Sequence, residues 1–192
     1  MRVLVACEES QVVCKAFRDG GHEAYSCDIK PCTGGKPEWH MQGDAVEALH
    51  SRHWDLLIAH PPCTYLTKAG ATLLHINGGF EIDEERYTKL LAARQLFMMF
   101  WRTKQADAIC VENPTPLKAA CLPKPSQVIQ PCDFGHPYTK RTCLWLRNLP
   151  PLMATYLVPK NETESWTDIH RSPTQRSKTF PGIAQAMAYQ WG

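Results

Sequence analysis

Continuous apolar runs that stop abruptly at polar residues constrain this chain most. Residues 55–59 (Asp-Leu-Leu-Ile-Ala) lead directly into residues 60–63 (His-Pro-Pro-Cys), and residues 108–111 lead into residues 112–114 (Glu-Asn-Pro) in the same way. A strand that lacks polar alternation is buried on both faces, and such strands belong to parallel sheets that helices cover. The pattern therefore predicts an α/β fold.

Segments with helical periodicity separate the apolar runs. In residues 12–17 the apolar side chains recur at helical spacing, and Gly20-Gly21 is typical of the cap that ends a helix. The alternation of strand and helix predicts a Rossmann-like fold, in which a mostly parallel sheet is flanked by helices. The other predicted strands are 2–6, 24–27 and 142–146, and the other predicted helices are 44–50 and 84–103.

The length of 192 residues fits one domain with one sizeable core. We therefore predict a single domain over residues 1–192. A segment rich in Pro, Asn, Glu, Thr and Ser predicts an irregular insertion at about 153–174, with a mobile loop at 159–174. A helix at about 182–191 is expected to pack back on the sheet.

The amino-acid composition excludes few classes of function. Hydrophobic residues make up 44% and charged residues 21%, and the net charge of +2 is compatible with nucleic-acid binding without indicating it. The first residues form neither a signal peptide nor a membrane span. We therefore expect a cytoplasmic protein with no membrane partner.

Nine cysteines raise the question of disulfides or metal. An odd count without a secretion signal favours reduced thiols. No Cys-x-x-Cys pair occurs, and the two prolines between His60 and Cys63 make a poor chelating turn. We expect no metal site.

Polar clusters follow four of the predicted strands, at residues 7–10, 28, 60–63 and 112–114. In a parallel sheet these clusters would meet at one edge, which is where ligands bind. Helix capping is an alternative explanation for Glu8, Ser10 and Asp44, and for Glu8 and Ser10 it is as good an explanation as ligand binding. Both interpretations stay open for these three residues.

Two dipeptides carry a family resemblance. Pro62-Cys63 after one strand and Glu112-Asn113 after the next, with a long helix between them, resemble the hallmark motifs of the DNA cytosine-C5 methyltransferases. The resemblance covers about residues 1–150. It implies the S-adenosylmethionine methyltransferase fold, S-adenosylmethionine as cofactor, and methyl transfer to C5 of cytosine in DNA or in a cytosine nucleotide.

The resemblance also implies catalytic roles. Cytosine C5 is a weak nucleophile, so the Cys63 thiolate would first add at C6, while the Glu112 carboxyl engages N3 and the exocyclic amine. Asn113 would orient the loop. Arg141, beside Lys140, would stabilise charge at O2, although the Gln-x-Arg-x-Arg spacing of the family is absent.

Cofactor and substrate contacts follow from the same resemblance. Asp28 would bind the ribose hydroxyls and Asp44 would lie near the adenine. The glycine-rich first loop of the family is replaced by residues 6–11, whose two carboxylates disfavour a pyrophosphate but tolerate the ammonium and sulfonium of S-adenosylmethionine. The expected cofactor residues are Cys7, Glu8, Glu9, Ser10, Asp28, Asp44 and Pro61, and the expected substrate residues are Pro62, Thr64, Tyr65, Pro114, His136 and Lys140.

The target-recognition domain of the family has no counterpart, because only about two dozen residues, 147–170, are available for it. The substrate could therefore be single-stranded DNA, a cytosine nucleotide, or duplex DNA presented by a partner chain. The rival hypothesis is a non-catalytic protein of the same fold that binds a nucleotide, a nucleotide-derived signal or nucleic acid. The joint presence of Cys63 and Glu112 favours the enzyme.

Two local features have alternative interpretations. Residues 130–141 are dense in aromatic and cationic groups, which suits base stacking, but a rigid surface loop accounts for this composition nearly as well. His60 could lower the pKa of the Cys63 thiol, or it could be a structural histidine beside a proline turn.

Overall fold

A computed structural model describes residues 1–67, 74, 81–169 and 177–192. Its strands are β1 (Arg2–Ala6), β2 (Glu23–Asp28), β3 (His40–Gln42), β4 (Trp54–Ala59), β5 (Ala106–Pro114), β6 (Gln127–Ile129), β7 (Tyr138–Thr139), β8 (Thr142–Arg147) and β9 (Glu164–Ser165). Its α-helices are α1 (Val12–Asp19), α2 (Ala45–His50), α3 (Glu84–Arg102), α4 (Trp166–Ile169) and α5 (Pro181–Trp191).

Seven of the strands form one sheet in the order β3-β2-β1-β4-β5-β8-β6. The first five in this order are parallel, whereas β8 runs antiparallel to both β5 and β6. The strand order reverses direction at β1, as it does in doubly wound nucleotide-binding folds. The predicted fold class, α/β and Rossmann-like with a mostly parallel sheet flanked by helices, is confirmed.

Helices cover both faces of this sheet. Leu4, Leu57 and Val111 point toward α2 and α3, and their alternating neighbours Val5 and Ile58 point toward α1 and α5. All five side chains are buried. The absence of polar alternation in β1, β4 and β5 follows from this double cover.

Helix ends agree with the sequence prediction. Gly20 caps α1 and Gly21 adopts φ 82°, so that His22 N–H donates to Phe17 O and Gly21 N–H donates to Arg18 O. This is a Schellman motif, which favours glycine at the left-handed position. Asp44 caps α2 by accepting a hydrogen bond from Val46 N–H at 2.7 Å.

Strand β5 differs from the prediction. The sequence predicted a strand at 108–111 that ends at Glu112, but β5 continues through Glu112 and Asn113 to Pro114. The extension exists because β8 supplies antiparallel partners, pairing Leu144 with Glu112 and Cys143 with Asn113. β5 therefore projects beyond β4, whose last residue lies opposite Val111.

The predicted insertion is more regular than expected. Residues 164–165 form β9, which pairs in parallel with β7, and α4 follows at once. At residues 164–169 the structure thus differs from the predicted irregular segment, while residues 170–174 lie outside the described part of the chain. The single domain over 1–192 stays a prediction.

The described helices include none that is both long and apolar enough to cross a bilayer. The nine cysteines all lie in the described residues, and none of them forms a disulfide.

The C-terminal helix α5, predicted at about 182–191, is fixed at its first turn. Gly182 N–H donates to His136 Nε2 at 3.0 Å. A Cβ atom at Gly182 would lie 2.1 Å from the carbonyl oxygen of Phe134. Only glycine therefore lets α5 approach the segment before β7 this closely.

Replacing Gly182 with alanine should lower the free energy of unfolding by about 2–3 kcal/mol, because the added methyl group meets backbone that cannot move aside. Urea denaturation measures this change. The matched control is Gly20→Ala, where φ is −77° and the nearest atoms lie at 3.4 Å, so that the change should stay below about 1 kcal/mol. Equal stability of the two variants would contradict the close approach.

Candidate active site

A pocket of about 530 Å³ opens at the carboxyl ends of β1 and β2, between α2 and α3. Asp28 and Asp44 supply its acidic groups, and Val46, Leu96 and Met99 supply an apolar wall. Pro62, which immediately precedes Cys63, also lines the pocket. The pocket thus has carboxylates and an apolar surface next to the Cys63 turn.

The pocket collects part of the predicted cofactor set. Cys7, Asp28 and Asp44 line it, as does Pro62 from the predicted substrate set. The other predicted cofactor residues, which also lie in the described part of the chain, are not among the lining residues; these are Glu8, Glu9, Ser10 and Pro61. Contact with a cofactor stays a prediction for all seven predicted cofactor residues, including the three that line the pocket.

Cys7 forms part of the wall in an unusual backbone conformation, with φ 61°. Burial raises the pKa of its thiol to about 12, and the negative charges of Asp28 and Asp44 act in the same direction. The thiol therefore stays protonated at neutral pH and is a poor nucleophile.

Glu8 turns away from the pocket and into the protein. Its side-chain oxygens accept hydrogen bonds from Val13 N–H at 2.7 Å and Cys14 N–H at 3.2 Å, at the start of α1. The residue is only 4% exposed. Burial raises the pKa of this carboxyl, although the two hydrogen bonds and His60 oppose the shift. Of the two interpretations open for Glu8, helix capping describes the contacts seen.

Gln11 organises the loop that faces this edge, and nothing in the sequence singled it out. Its side chain donates to Lys36 O at 2.8 Å and accepts from Lys36 N–H at 3.1 Å. Gly34 packs so closely that a Cβ there would lie 2.5 Å from Gln11 Cβ. A buried glutamine before a helix gives no sequence signal, because its partners lie more than twenty residues away.

His60 and Glu112 form a buried pair at the ends of neighbouring strands. His60 Nδ1 lies 3.1 Å from Glu112 Oε2, and the two side chains are 9% and 15% exposed. The register explains the contact, because Ala59 and Val111 are paired and the next residue of each strand carries the polar side chain. Sequence reasoning related His60 only to the Cys63 thiol and missed this partner.

The pair shifts both pKa values in opposite directions. Burial alone would raise the pKa of Glu112, but the hydrogen bond and positive charge of His60, together with Lys140, lower it. Burial alone would lower the pKa of His60, but the hydrogen bond and charge of Glu112, together with Glu8, raise it. Each residue therefore stabilises the ionised form of the other.

Asn113 faces the opposite side of the sheet from Glu112, since neighbouring strand residues alternate. Its side-chain amide donates to Pro61 O at 2.8 Å, and the residue is 1% exposed. Cys63 lies two residues after Pro61 in the chain and is half-buried, and its carbonyl oxygen accepts a hydrogen bond from Leu66 N–H. Asn113 thus ties the turn that carries Cys63 to β5.

The cationic residues predicted at O2 reach the same edge of the sheet. Because β8 is antiparallel, its first residue Thr142 lies opposite Pro114. Arg141 is exposed and its Nε donates to Thr115 Oγ1 at 3.1 Å. Lys140 lies close enough to lower the pKa values of both His60 and Glu112.

The remaining predicted substrate residues have defined neighbours. The ring of Tyr65 lies 5.1 Å from the Arg86 guanidinium, and the carbonyl of Thr64 accepts a hydrogen bond from Arg86 at 3.5 Å. His136 Nε2 accepts the hydrogen bond from Gly182, and burial lowers the pKa of this histidine. It is therefore neutral at pH 7. Contacts of these residues with a substrate stay predictions.

Among the described residues, no group of three or more His, Cys, Asp or Glu side chains is arranged to hold a metal ion.

Comparison with known proteins gives a distant structural likeness. No protein-family model and no curated protein matches the chain. Among solved structures, a triple mutant of Spodoptera frugiperda DNMT2 is similar, with a TM-score of 0.40 and 14% sequence identity over 82% of this chain and 54% of that one. The chain spans about half the length of that protein. A likeness at this level carries no argument about activity.

Replacing Asn113 with alanine should lower the free energy of unfolding by about 1–3 kcal/mol, because the Pro61 carbonyl loses a buried hydrogen bond. Alkylation of Cys63, followed by mass spectrometry, should accelerate because its turn loosens. The control is Asn148→Gly, which removes an exposed bond to Asp107 O and suits the φ of 55°. It should leave Cys63 reactivity unchanged, and equal rates in both variants would contradict the anchoring role.

Proposed function

We propose that this chain is an S-adenosylmethionine-dependent methyltransferase that acts on C5 of a cytosine through a covalent Cys63 adduct. The pocket is the observation that supports this proposal. Asp28, Asp44 and Pro62 come from three separate segments and line one cavity, and Pro62 is bonded to the proposed nucleophile. A cofactor site beside the nucleophile is what direct methyl transfer requires.

The pocket residues fit this cofactor. The carboxylates of Asp28 and Asp44 suit its hydroxyl and cationic groups, while Val46, Leu96 and Met99 suit an adenine ring. A volume of about 530 Å³ is in the usual range for small-molecule sites. When bound, S-adenosylmethionine supplies an electrophilic methyl group.

Cys63 would serve as the nucleophile that adds to C6 of the ring. Asn113 holds the turn that carries Cys63, so that less conformational entropy of the turn would be lost when the thiolate reacts. Cys7, the thiol that lines the pocket, has a pKa of about 12 and is unsuited to the same role.

Glu112 would engage N3 and the exocyclic amine as the thiolate adds. Arg141 and Lys140 would stabilise negative charge at O2 from the start of β8. Both assignments rest on the antiparallel pairing that brings β8 to the same edge as β5.

The proposed substrate is cytosine in single-stranded DNA or in a nucleotide, or in duplex DNA presented by a partner chain. The segment 147–170 is too short for the recognition insertion of the resembled family. A thiolate mechanism, in a chain whose nine cysteines form no disulfide, suits a reducing compartment such as the cytoplasm.

Calorimetry should detect binding of S-adenosylmethionine to the wild-type chain, and Asp28→Asn should weaken it by about 10- to 100-fold, because a charged hydrogen-bond acceptor is lost. Asparagine keeps Oδ1, which accepts the Lys30 N–H bond at 2.9 Å, so the local turn is retained. The control Asp19→Asn, at the exposed end of α1, should bind like the wild type. A wild-type chain that ignores the cofactor rules out the proposed enzyme.

Incubation with S-adenosylmethionine and an oligonucleotide containing 5-fluorocytosine should give a covalent adduct that denaturing gels and mass spectrometry resolve. The fluorine blocks the final elimination, so the adduct accumulates. Cys63→Ser should abolish it and Glu112→Gln should slow it by about 10²-fold or more. Parallel reactions with single-stranded, duplex and mononucleotide substrates identify the substrate class.

The exposed thiol of Cys121 offers the matched control, and Cys121→Ser should form the adduct at the wild-type rate. Adduct formation by Cys63→Ser would refute the assigned nucleophile. Cofactor binding without any adduct on all three substrates would favour the non-catalytic binder.

A further inference from the structure

Three titratable side chains from adjacent strands form a buried cluster, which we call the edge cluster. Glu8 follows β1, His60 follows β4 and Glu112 lies in β5, and these three strands are neighbours in the order β1-β4-β5. His60 and Glu112 are hydrogen-bonded at 3.1 Å, and the charge of Glu8 acts on His60. A buried imidazole is therefore hydrogen-bonded to one carboxyl group and lies within electrostatic reach of a second.

The hydrogen bonds of the edge cluster indicate that His60 is the residue that holds the proton. The Glu8 oxygens already accept from two backbone N–H groups of α1. His60 Nδ1 contacts Glu112, whereas His60 Nε2 is buried without a hydrogen-bond partner among the described residues. A histidine held in this way has one defined proton route, through Nδ1 to Glu112.

The proposed reaction needs that proton. When a thiolate adds to C6 of cytosine, the N3–C4 electron pair moves to N3, which must be protonated for the addition to be favourable. An ionised Glu112 can orient the exocyclic amine but has no proton to give. The proton must then come from a group in contact with Glu112.

We propose that His60 is a positioning residue that stores this proton and delivers it to N3 of the cytosine through Glu112, an inference that rests on the proposed function. As the bond between Cys63 Sγ and C6 forms, the His60 Nδ1 proton passes to Oε2 of the ionised Glu112, and the Glu112 carboxyl passes this same proton on to N3, which leaves Glu112 ionised and His60 neutral. After methylation, water takes the C5 proton, the thiolate leaves, and the N3 proton returns through Glu112 to His60.

The charges around the edge cluster shift the pKa of His60 and so determine whether it holds the proton. Glu112 on β5 and Glu8 after β1 favour the imidazolium, while Lys140 before β8 opposes it. The net direction is a raised pKa for His60 and a lowered pKa for Glu112. At any pH between these two pKa values, the pair therefore holds one proton, and that proton is on His60.

The test is the pH dependence of single-turnover methyl transfer in His60→Asn. The asparagine amide nitrogen takes the place of Nδ1, so it keeps a donor to Glu112 but carries no exchangeable charge. In the wild type the rate should fall as pH rises through the raised pKa of His60. In the variant Glu112 must itself be protonated to donate to N3. The fall in rate with rising pH should therefore occur at lower pH, and the rate at neutral pH should be lower by about 10²-fold.

A second histidine–carboxylate pair on the same two segments supplies the control. His53 Nε2 lies 2.9 Å from Asp107 Oδ1 at the amino ends of β4 and β5, where both side chains are exposed. His53→Gln should leave the pH profile unchanged. A His60→Asn profile that keeps the wild-type shape at a uniformly lower rate would show a merely structural role and overturn the inference.

An NMR titration of the histidine rings separates this inference from the proposed function and needs no activity. The His60 ring should titrate above the usual histidine range in the wild type, and Glu112→Gln should lower its pKa. If Glu112→Gln leaves the titration unmoved, the proton-storing pair is refuted even in an active enzyme. If the wild type transfers no methyl group, the proposed function fails, and the proton delivery fails with it.

Discussion

The antiparallel pairing of β8 with β5 is the interaction on which the candidate site depends. It extends β5 past the end of β4, so that Glu112 and Asn113 are held in a strand and not in a loop. Strand alternation then directs their side chains to opposite faces of the sheet. Glu112 reaches His60 and Asn113 reaches the Pro61 carbonyl, and together they tie the start of the turn that carries Cys63 to β5.

Burial makes the polar contacts at this edge energetically important. An isolated buried carboxylate is costly, and the hydrogen bond and charge of His60, together with the charge of Lys140, favour the ionised form of Glu112. Glu8 is stabilised by the first N–H groups of α1. The same desolvation keeps the Cys7 thiol protonated. The edge therefore combines one inert thiol, that of Cys7, with the proton-sharing pair of His60 and Glu112, because burial and hydrogen-bond partners fix the protonation state of each group.

Several residues of the site were predictable because strand ends are visible in the sequence. Asp28, Asp44 and Pro62 follow or precede apolar runs, and a parallel sheet must bring such positions to one edge. Contacts of Gln11 with residues 32–36, and of His136 with Gly182, were not predictable, since they join segments that share no pattern. The regular structure at 164–169 escaped prediction because its partner, β7, is two residues long.

By itself, the sequence determined the α/β class, because burial on two faces imposes an unbroken apolar pattern. It also determined the order of the longer elements and the polar residues at their ends; these elements are β1, α1, β2, α2, β4, α3, β5, β8 and α5. Only the tertiary structure decided which of these residues meet. Whether Glu112 pairs with His60, and whether Asp28 or Glu8 faces the pocket, depends on register, alternation and helix docking. Register, alternation and helix docking depend on partners that are distant in the chain, as β8 is from β5, and the local sequence does not reveal them.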